Sequence, residues 1–284
     1  MQPGGGTLFV IATPIGNLGD VTARAIETLK ACDRLLAEDT RRARALLSHL
    51  GIPARAVGRV DAHATDRDVA RVVEGLLRGE RVALITDAGT PVVSDPGAVL
   101  VDAAIAAGVS VVPIPGPSAV LAALVASGLA GDGRFRFVGF LPREGAARRD
   151  AIALVCETPE PVVLFEAPSR LQATLADLAD ATPARRACVA RELTKMHEET
   201  VRGTCAELAA DEREWIGEIA VVLGRHAPEE RSEAVDDAAL DARIDEALAR
   251  GEHPRTAADR LAAWSGRRKR DVYERIVQRR PRQR

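Results

Sequence analysis

Three short segments gather residues that could shape a ligand site: TPIGNLGD over 13–20, DAGTPVVSDPG over 87–97 and PGPSA over 115–119. Each follows a short apolar run, TLFVIA over 7–12, VALI over 82–85 and VSVV over 109–112. Such runs, bounded by Gly and Pro, read as buried strands. In open α/β sheets ligands bind just beyond the carboxyl ends of strands, and small residues there let the backbone approach a ligand closely. No GxGxxG follows the first strand, and the chain contains no GxxxxGK[ST] and no GxSxG. This argues against a Rossmann dinucleotide site, a P-loop and a serine-hydrolase elbow. The histidines (His49, His63, His197, His226, His253) show no ligand spacing, and Cys32, Cys156, Cys188 and Cys205 form no CxxC, so no metal site is expected. What remains is a cleft lined by backbone amides, suited to an adenosine-bearing ligand with few charges.

The elements that must position these loops alternate. Strands are expected at 7–12, 34–37, 81–85 and 109–114, with helices over 21–31, 40–50, 66–78, 96–107 and 119–129. Asp20 reads as the cap of the first helix. Asp95, before Pro96, reads as the start of the helix at 96–107. Alternation of this kind predicts a parallel sheet with helices on both faces. Gly131-Asp132-Gly133 punctuates the middle of the chain, and a first α/β domain is placed at 1–131. Strands and helices then follow without strict alternation, which suggests a second, mixed α+β domain over 132–226. A polar stretch over 226–236 reads as a linker. Three helical stretches, 237–250, 255–264 and 268–280, form a C-terminal extension over 236–284.

The formal net charge is −2 over 284 residues, which does not announce a nucleic-acid partner. The charge is uneven, however. Residues 267–284 hold nine basic side chains against Asp271 and Glu274, so Arg267, Arg268, Lys269 and Arg270 are candidates for phosphate contact; a solvated terminus is the plainer reading of the same run. Prolines at 113, 115 and 117 argue against a membrane span in the longest apolar region. Scattered thiols, no visible secretory signal and no span together point to the cytoplasm.

The segments TPIGNLGDVTARAIETL, AEDTRRARALL, DAGTPVVSDPG, PIPGPSA, GFLPREGAARRDAI, FEAPSR and ARELTKMHEE occur in this order. Together they resemble the ribosomal RNA small-subunit methyltransferase I family, within the tetrapyrrole-methylase superfamily of S-adenosylmethionine enzymes, over roughly residues 7–225. The resemblance implies a two-domain α/β tetrapyrrole-methylase-like fold, a homodimer, and transfer of a methyl group to a cytidine ribose 2′-hydroxyl in 16S rRNA, in the decoding region of the small ribosomal subunit. It places S-adenosylmethionine between the domains, against Asp87, Ala88, Gly89, Thr90, Ser118, Ala119, Phe165, Leu193 and Glu218, with Pro14 shaping the first loop. The TPIGN loop replaces the GxGxGD-type loop of the tetrapyrrole C-methylases, which favours the RNA branch.

A ribose hydroxyl is a poor nucleophile and needs a base or a positive environment. Asp39, Glu192 and Lys195 are candidates for proton handling, and the residues alone select no single base. Arg41, Arg42, Arg148, Arg149, Arg170 and Arg191 are candidates for phosphate and ribose contacts. Two other functions stay open at this point: C-methylation of a tetrapyrrole, and non-enzymatic RNA binding in assembly. Methyl transfer to a porphyrinogen without RNA marks the first; no affinity for S-adenosylmethionine marks the second.

Overall fold

The structure is a computed structural model that describes residues 5–53, 56–60, 65–226, 237–250, 252–265, 267 and 269–279. The chain divides into two compact units, 1–226 and 227–284. Of the expected linker over 226–236, residues 227–236 lie outside the described residues, as does the candidate Arg268.

The first unit holds two five-stranded sheets. In the first sheet β1 (Thr7–Ile11), β2 (Arg34–Ala37), β3 (Val57–Arg59), β4 (Arg81–Leu84) and β5 (Ser110–Ile114) lie in the order β3-β2-β4-β1-β5. All neighbours pair in parallel. Side chains alternate between the two faces. Ile11, Leu35 and Ala83 pack with α1 (Ala23–Ala31) and α2 (Thr40–His49) on one face. Leu8, Leu36, Val82 and Leu84 pack with α3 (Asp66–Leu77) and α4 (Ala98–Ala106) on the other. Because β1 lies between β4 and β5, the three Gly- and Pro-containing loops leave adjacent strands at the same end of the sheet.

The second sheet contains β6 (Arg136–Phe140), β7 (Val162–Glu166), β8 (Arg186–Arg191), β9 (Glu199–Thr204) and β10 (Ile219–Leu223), in the order β6-β7-β10-β8-β9. Only β6 and β7 pair in parallel; the remaining pairs are antiparallel, so the sheet is mixed. α5 (Ala119–Ser127) packs Val120, Ala123 and Leu124 against Val163, Cys188, Ala190 and Val222 on one face. α6 (Gly145–Glu157), α7 (Pro168–Ala181) and α8 (Cys205–Ala209) cover the other, around Leu164, Leu171, Leu175, Val189 and Val221.

Two helix starts differ from expectation. Thr22, not Asp20, caps α1, its hydroxyl accepting from Ala25 N at 3.1 Å; Asp20 ends a 3-10 turn over Leu18–Asp20. Asp95 does not cap α4, which begins at Ala98 after Gly97 and has no side-chain cap. Gly97 holds φ +115°, and a Cβ there would lie 2.9 Å from Leu84 Cδ2. The chain therefore stays in a loop past Pro96, and the Asp95 carboxyl meets the Thr86 hydroxyl instead.

The second unit contains α9 (Asp237–Ala249), α10 (Pro254–Ser265) and α11 (Lys269–Arg279) around Leu240, Ile244, Ala258, Leu261, Val272 and Ile276. Asp237, Asp241 and Asp245 recur every fourth residue of α9, as same-face residues do. They pair with Arg267 at 2.5 Å, Arg275 at 2.6 Å and Arg279 at 2.6 Å.

Candidate active site

The three adjacent loops are bonded to one another. Thr13 and Gly89 exchange both backbone hydrogen bonds, at 2.8 and 3.0 Å. The Thr13 hydroxyl donates to Thr86 O at 3.1 Å and the Thr90 hydroxyl to Pro117 O at 3.2 Å. A fourth loop, following β8, closes on the first: Asn17 N donates to Thr194 Oγ1 at 3.0 Å. Gly16 is required by this closure, since a Cβ there would lie 2.4 Å from Lys195 Cγ. The described non-glycine residues with positive φ are Val92, Ser94, Glu192 and Thr194, and all four lie in two of these loops. A β-branched residue at φ +75°, as at Val92, is a strained conformation that surrounding structure must hold.

These loops border two neighbouring chambers. The first, 390 Å³, is lined by Ala88, Gly89, Thr90, Ser118, Ala119, Phe165, Leu193 and Glu218 of the expected cofactor contacts. The second, 380 Å³, is lined by Pro14 and Asp87, together with Asp39, Arg42 and Lys195. Ile15, Ala88 and Glu218 line both. The first chamber also contains side chains that sequence reasoning missed: Ile15, Val93, Asp95, Phe140 and Glu166. Phe140 stands 5.6 Å from Phe165, centroid to centroid. The fit to an adenosine-bearing ligand rests on this lining: two aromatic rings together with small residues, among them Gly89 at φ +83°. Its volume is in the usual range for a small-molecule site.

The proton-handling candidates differ in what already engages them. The Asp39 carboxylate caps α2, accepting from Arg41 N at 2.7 Å, and pairs with Arg41 Nη2 at 2.8 Å. The Arg41 side chain first, then its backbone amide, hold that carboxyl well below the usual range, which makes it a weak base. Glu192 Oε1 accepts from Lys195 Nζ and from Glu218 N, both at 2.8 Å. These two bonds, Lys195 first, lower its pKa. Lys195 Nζ also bonds Glu218 Oε2 at 3.0 Å. Burial alone pulls the Lys195 amine down, but its two carboxylate partners outweigh burial and the pKa is raised. Lys195 is therefore a held ammonium rather than a free amine.

The arginine candidates fall into two groups. Arg41, Arg42 and Arg149 are exposed; Arg42 reaches Asp87 at 3.4 Å on the rim of the second chamber. Arg148 is directed inward, to Asp177 at 2.7 Å and Thr174 at 3.0 Å. Arg170 bonds Leu141 O and Pro142 O and lies 3.4 Å from Glu166. Arg191 pairs with Glu199 at 2.8 Å. In the second unit Arg267 pairs with Asp237, Lys269 with Asp259 and Arg270 with Glu274.

Comparison with known proteins gives this architecture a family. The model of the tetrapyrrole (corrin/porphyrin) methylases matches residues 7–209. The chain is 43% identical over 263 residues to "Ribosomal RNA small subunit methyltransferase I" of Xylella fastidiosa, covering 91% of this chain and 94% of that one. It is 44% identical over 282 residues to the protein of the same name from Pseudomonas aeruginosa, covering 96% and 98%. Among solved structures it resembles uroporphyrin-III-C-methyltransferase from Thermus thermophilus, with TM-score 0.55 and 19% identity over 77% of this chain and 94% of that one. It also resembles the methyltransferase CobJ, with TM-score 0.59 and 20% identity over 78% and 95%. At that identity the structural likeness speaks for the fold, and the sequence relatives speak for the branch. The chain belongs to the ribosomal RNA small subunit methyltransferase I family, within the tetrapyrrole methylases.

Proposed function

We propose that this chain transfers a methyl group from S-adenosylmethionine to the ribose 2′-hydroxyl of a cytidine in 16S rRNA, in the decoding region of the small ribosomal subunit. The observation that carries the reading is the pair of chambers sharing Ile15, Ala88 and Glu218, in a chain of this family. One chamber is apolar and aromatic, as an adenosine-bearing donor requires. The other carries Lys195 and the exposed Arg42 on its wall, as a ribose-phosphate requires. We treat residues 1–131 and 132–226 as the two lobes that supply these walls, with 236–284 as an appended helical extension. We take the active form as a cytoplasmic homodimer. Exposed apolar side chains on α4 and α5, among them Val99, Ile105, Leu121 and Val125, give such a dimer surface to bury.

Ala88, Gly89, Thr90, Ser118, Ala119, Phe165 and Leu193 hold the donor, which supplies an activated methyl group. Pro14 and Asp87 hold the first two loops in register beside it. The residues of the second chamber then orient the hydroxyl, and positioning of this kind removes much of the barrier. Lys195, kept charged by Glu192 and Glu218, lowers the cost of negative charge developing on the 2′-oxygen. Asp39, already bonded to Arg41, fixes the start of α2 and thereby the place of Arg42. Arg41, Arg42 and Arg149 meet phosphates of the RNA.

The test is incubation with methyl-labelled S-adenosylmethionine and small subunits that lack the modification, followed by nucleotide mapping. Labelled 2′-O-methylcytidine in the 16S rRNA is expected. Label absent from the RNA but present in a porphyrinogen would transfer the chain to the tetrapyrrole branch of the family.

A further inference from the structure

Lys195 lies on the wall of the second chamber, and the loop that carries it is closed by its own bonds. Lys195 N donates to Glu192 O at 2.9 Å, Glu198 N to Lys195 O at 3.1 Å and Thr194 N to the Glu198 carboxylate at 2.5 Å. The same loop is tied to the first one, Asn17 N donating to Thr194 Oγ1 at 3.0 Å. The residue that follows Lys195 is Met196. It is 93% exposed, the most exposed large apolar side chain among the described residues. The residue that follows Asn17 is Leu18, 39% exposed and on the wall of the second chamber. Single apolar side chains are common on protein surfaces. These two differ in their placement: each stands one residue beyond a contact that fixes its loop, and both flank the ammonium of the second chamber. A side chain as exposed as Met196 contributes almost nothing to the core, so its apolar surface is available to a ligand.

We propose that Met196 and Leu18 form an apolar rim on the second chamber, and that this rim packs against the face of a nucleobase next to the target cytidine. The inference rests on reading the second chamber as the ribose site. A ribose 2′-hydroxyl inside a stacked strand is hemmed in by its neighbours, so the strand must open for the hydroxyl to reach a methyl donor. The phosphates of that strand find Arg42 at the chamber's edge. A charged rim offers the adjacent base nothing in exchange for lost stacking, whereas an apolar side chain does: Met and Leu serve elsewhere as wedges between bases, and unstacked RNA bases are commonly held on side-chain surfaces. The unbranched thioether of Met196 adapts its shape to a flat base, while the bonded loop beneath keeps it beside Lys195. The displaced base rests on the rim, and the target ribose enters the chamber.

A cycle between side chain and base tests this. Wild type, Met196→Ser and the double variant Leu18→Ser/Met196→Ser are compared on small subunits reconstituted with intact 16S rRNA, or with 16S rRNA carrying an abasic ribose at one or the other neighbour of the target. On intact subunits Met196→Ser is expected to lower kcat/KM about fivefold to tenfold, and the double variant further, as loss of a base-stacking surface does. Affinity for S-adenosylmethionine and the slope of RNA affinity against salt should not change, because no ionic contact is removed. With one of the two abasic RNAs the wild type should fall to the level of Met196→Ser, and the substitution should then cost nothing more. Full activity of Met196→Ser on intact subunits would overturn the assignment, as would an undiminished effect of the substitution on both abasic RNAs. Met196 is exposed, so this variant should keep the wild-type melting temperature. A wild-type chain that leaves intact subunits unmethylated would instead overturn the reading of the chamber itself.

Discussion

Glu218 joins Lys195 to the wall between the two chambers: its carboxylate lies 3.0 Å from Lys195 Nζ, and its side chain lines both cavities. Lys195 is thus held by Glu192 on one side and by an exposed carboxylate on the other. This arrangement separates two roles. Lys195→Met should lower methyl transfer by ~10²–10³-fold while leaving affinity for S-adenosylmethionine within about twofold, whereas Glu218→Gln should weaken both. Single-turnover rates and calorimetry on the same preparations check the split. Parallel loss of rate and donor affinity in Lys195→Met would place that residue in loop structure rather than in chemistry.

The arginine candidates predict different phenotypes. Arg41→Glu, Arg42→Glu and Arg149→Glu should each weaken RNA binding and reduce the slope of affinity against salt by about 1. Arg148→Ala should instead lower the melting temperature, because it leaves Asp177 and Thr174 without their inward partner. Salt-dependent binding to a 16S rRNA fragment, set beside thermal melts, distinguishes the two groups.

Arg185 is a stability determinant with no carboxylate partner among the described residues. It is 6% exposed, and its guanidinium donates to the carbonyls of Gly224, Val155, Cys156, Thr158 and Glu160. It thereby ties the end of α6 and the approach to β7 to the end of β10. Arg185→Met keeps the stem and strands these carbonyls, at a cost of about 3–5 kcal/mol. The midpoint of urea unfolding should fall accordingly, with an unchanged slope.

The C-terminal helices should be acid-sensitive. The Arg267 side chain lowers Asp237, the Arg275 side chain lowers Asp241, and the Arg279 side chain lowers Asp245. A carboxylate depressed in the folded state contributes stability above its unfolded pKa, and that stability is lost as pH falls through the folded value. The loss should therefore begin below about pH 4. The chain has two tryptophans, so in a Trp215→Phe variant Trp264, stacked on Arg243 at 4.3 Å, reports this unit alone. Its emission should shift on acidification from pH 5 to pH 2, and Asp241→Asn should lower its thermal midpoint at pH 7.

The loops were legible in the sequence because β1, β4 and β5 are marked by short apolar runs ending in Gly and Pro, and parallel alternation puts such ends on one side of a sheet. Asp95 was not legible in its actual place. Asp-Pro before an apolar run has the chemistry of a helix start, and the contact that holds it in the loop, with Thr86, is tertiary. β9 escaped notice because ETVRGT lacks an apolar run; pairing with β8 makes it a strand. The pairing of Arg267, Arg275 and Arg279 was not legible because their partners on α9 lie about thirty residues earlier, at a spacing that matters only once the helices pack. The inward turn of Arg148, Arg170 and Arg191 is likewise a property of the second sheet and its helices, invisible to local charge counting.

In the proposed reaction the chamber beside Gly89 and Thr90 holds the methyl donor while the chamber beside Lys195 receives the ribose. A structure of the chain with S-adenosylmethionine and a 16S rRNA fragment carrying a 2′-deoxy target cytidine tests it most directly. The sulfonium methyl is expected at the Ile15–Ala88–Glu218 boundary, with the target C2′ facing it from the Lys195 side and within about 4–5 Å, as a near-attack geometry requires once the missing oxygen is restored. A donor bound outside the first chamber, or a target ribose on a surface that does not include Lys195, would contradict it.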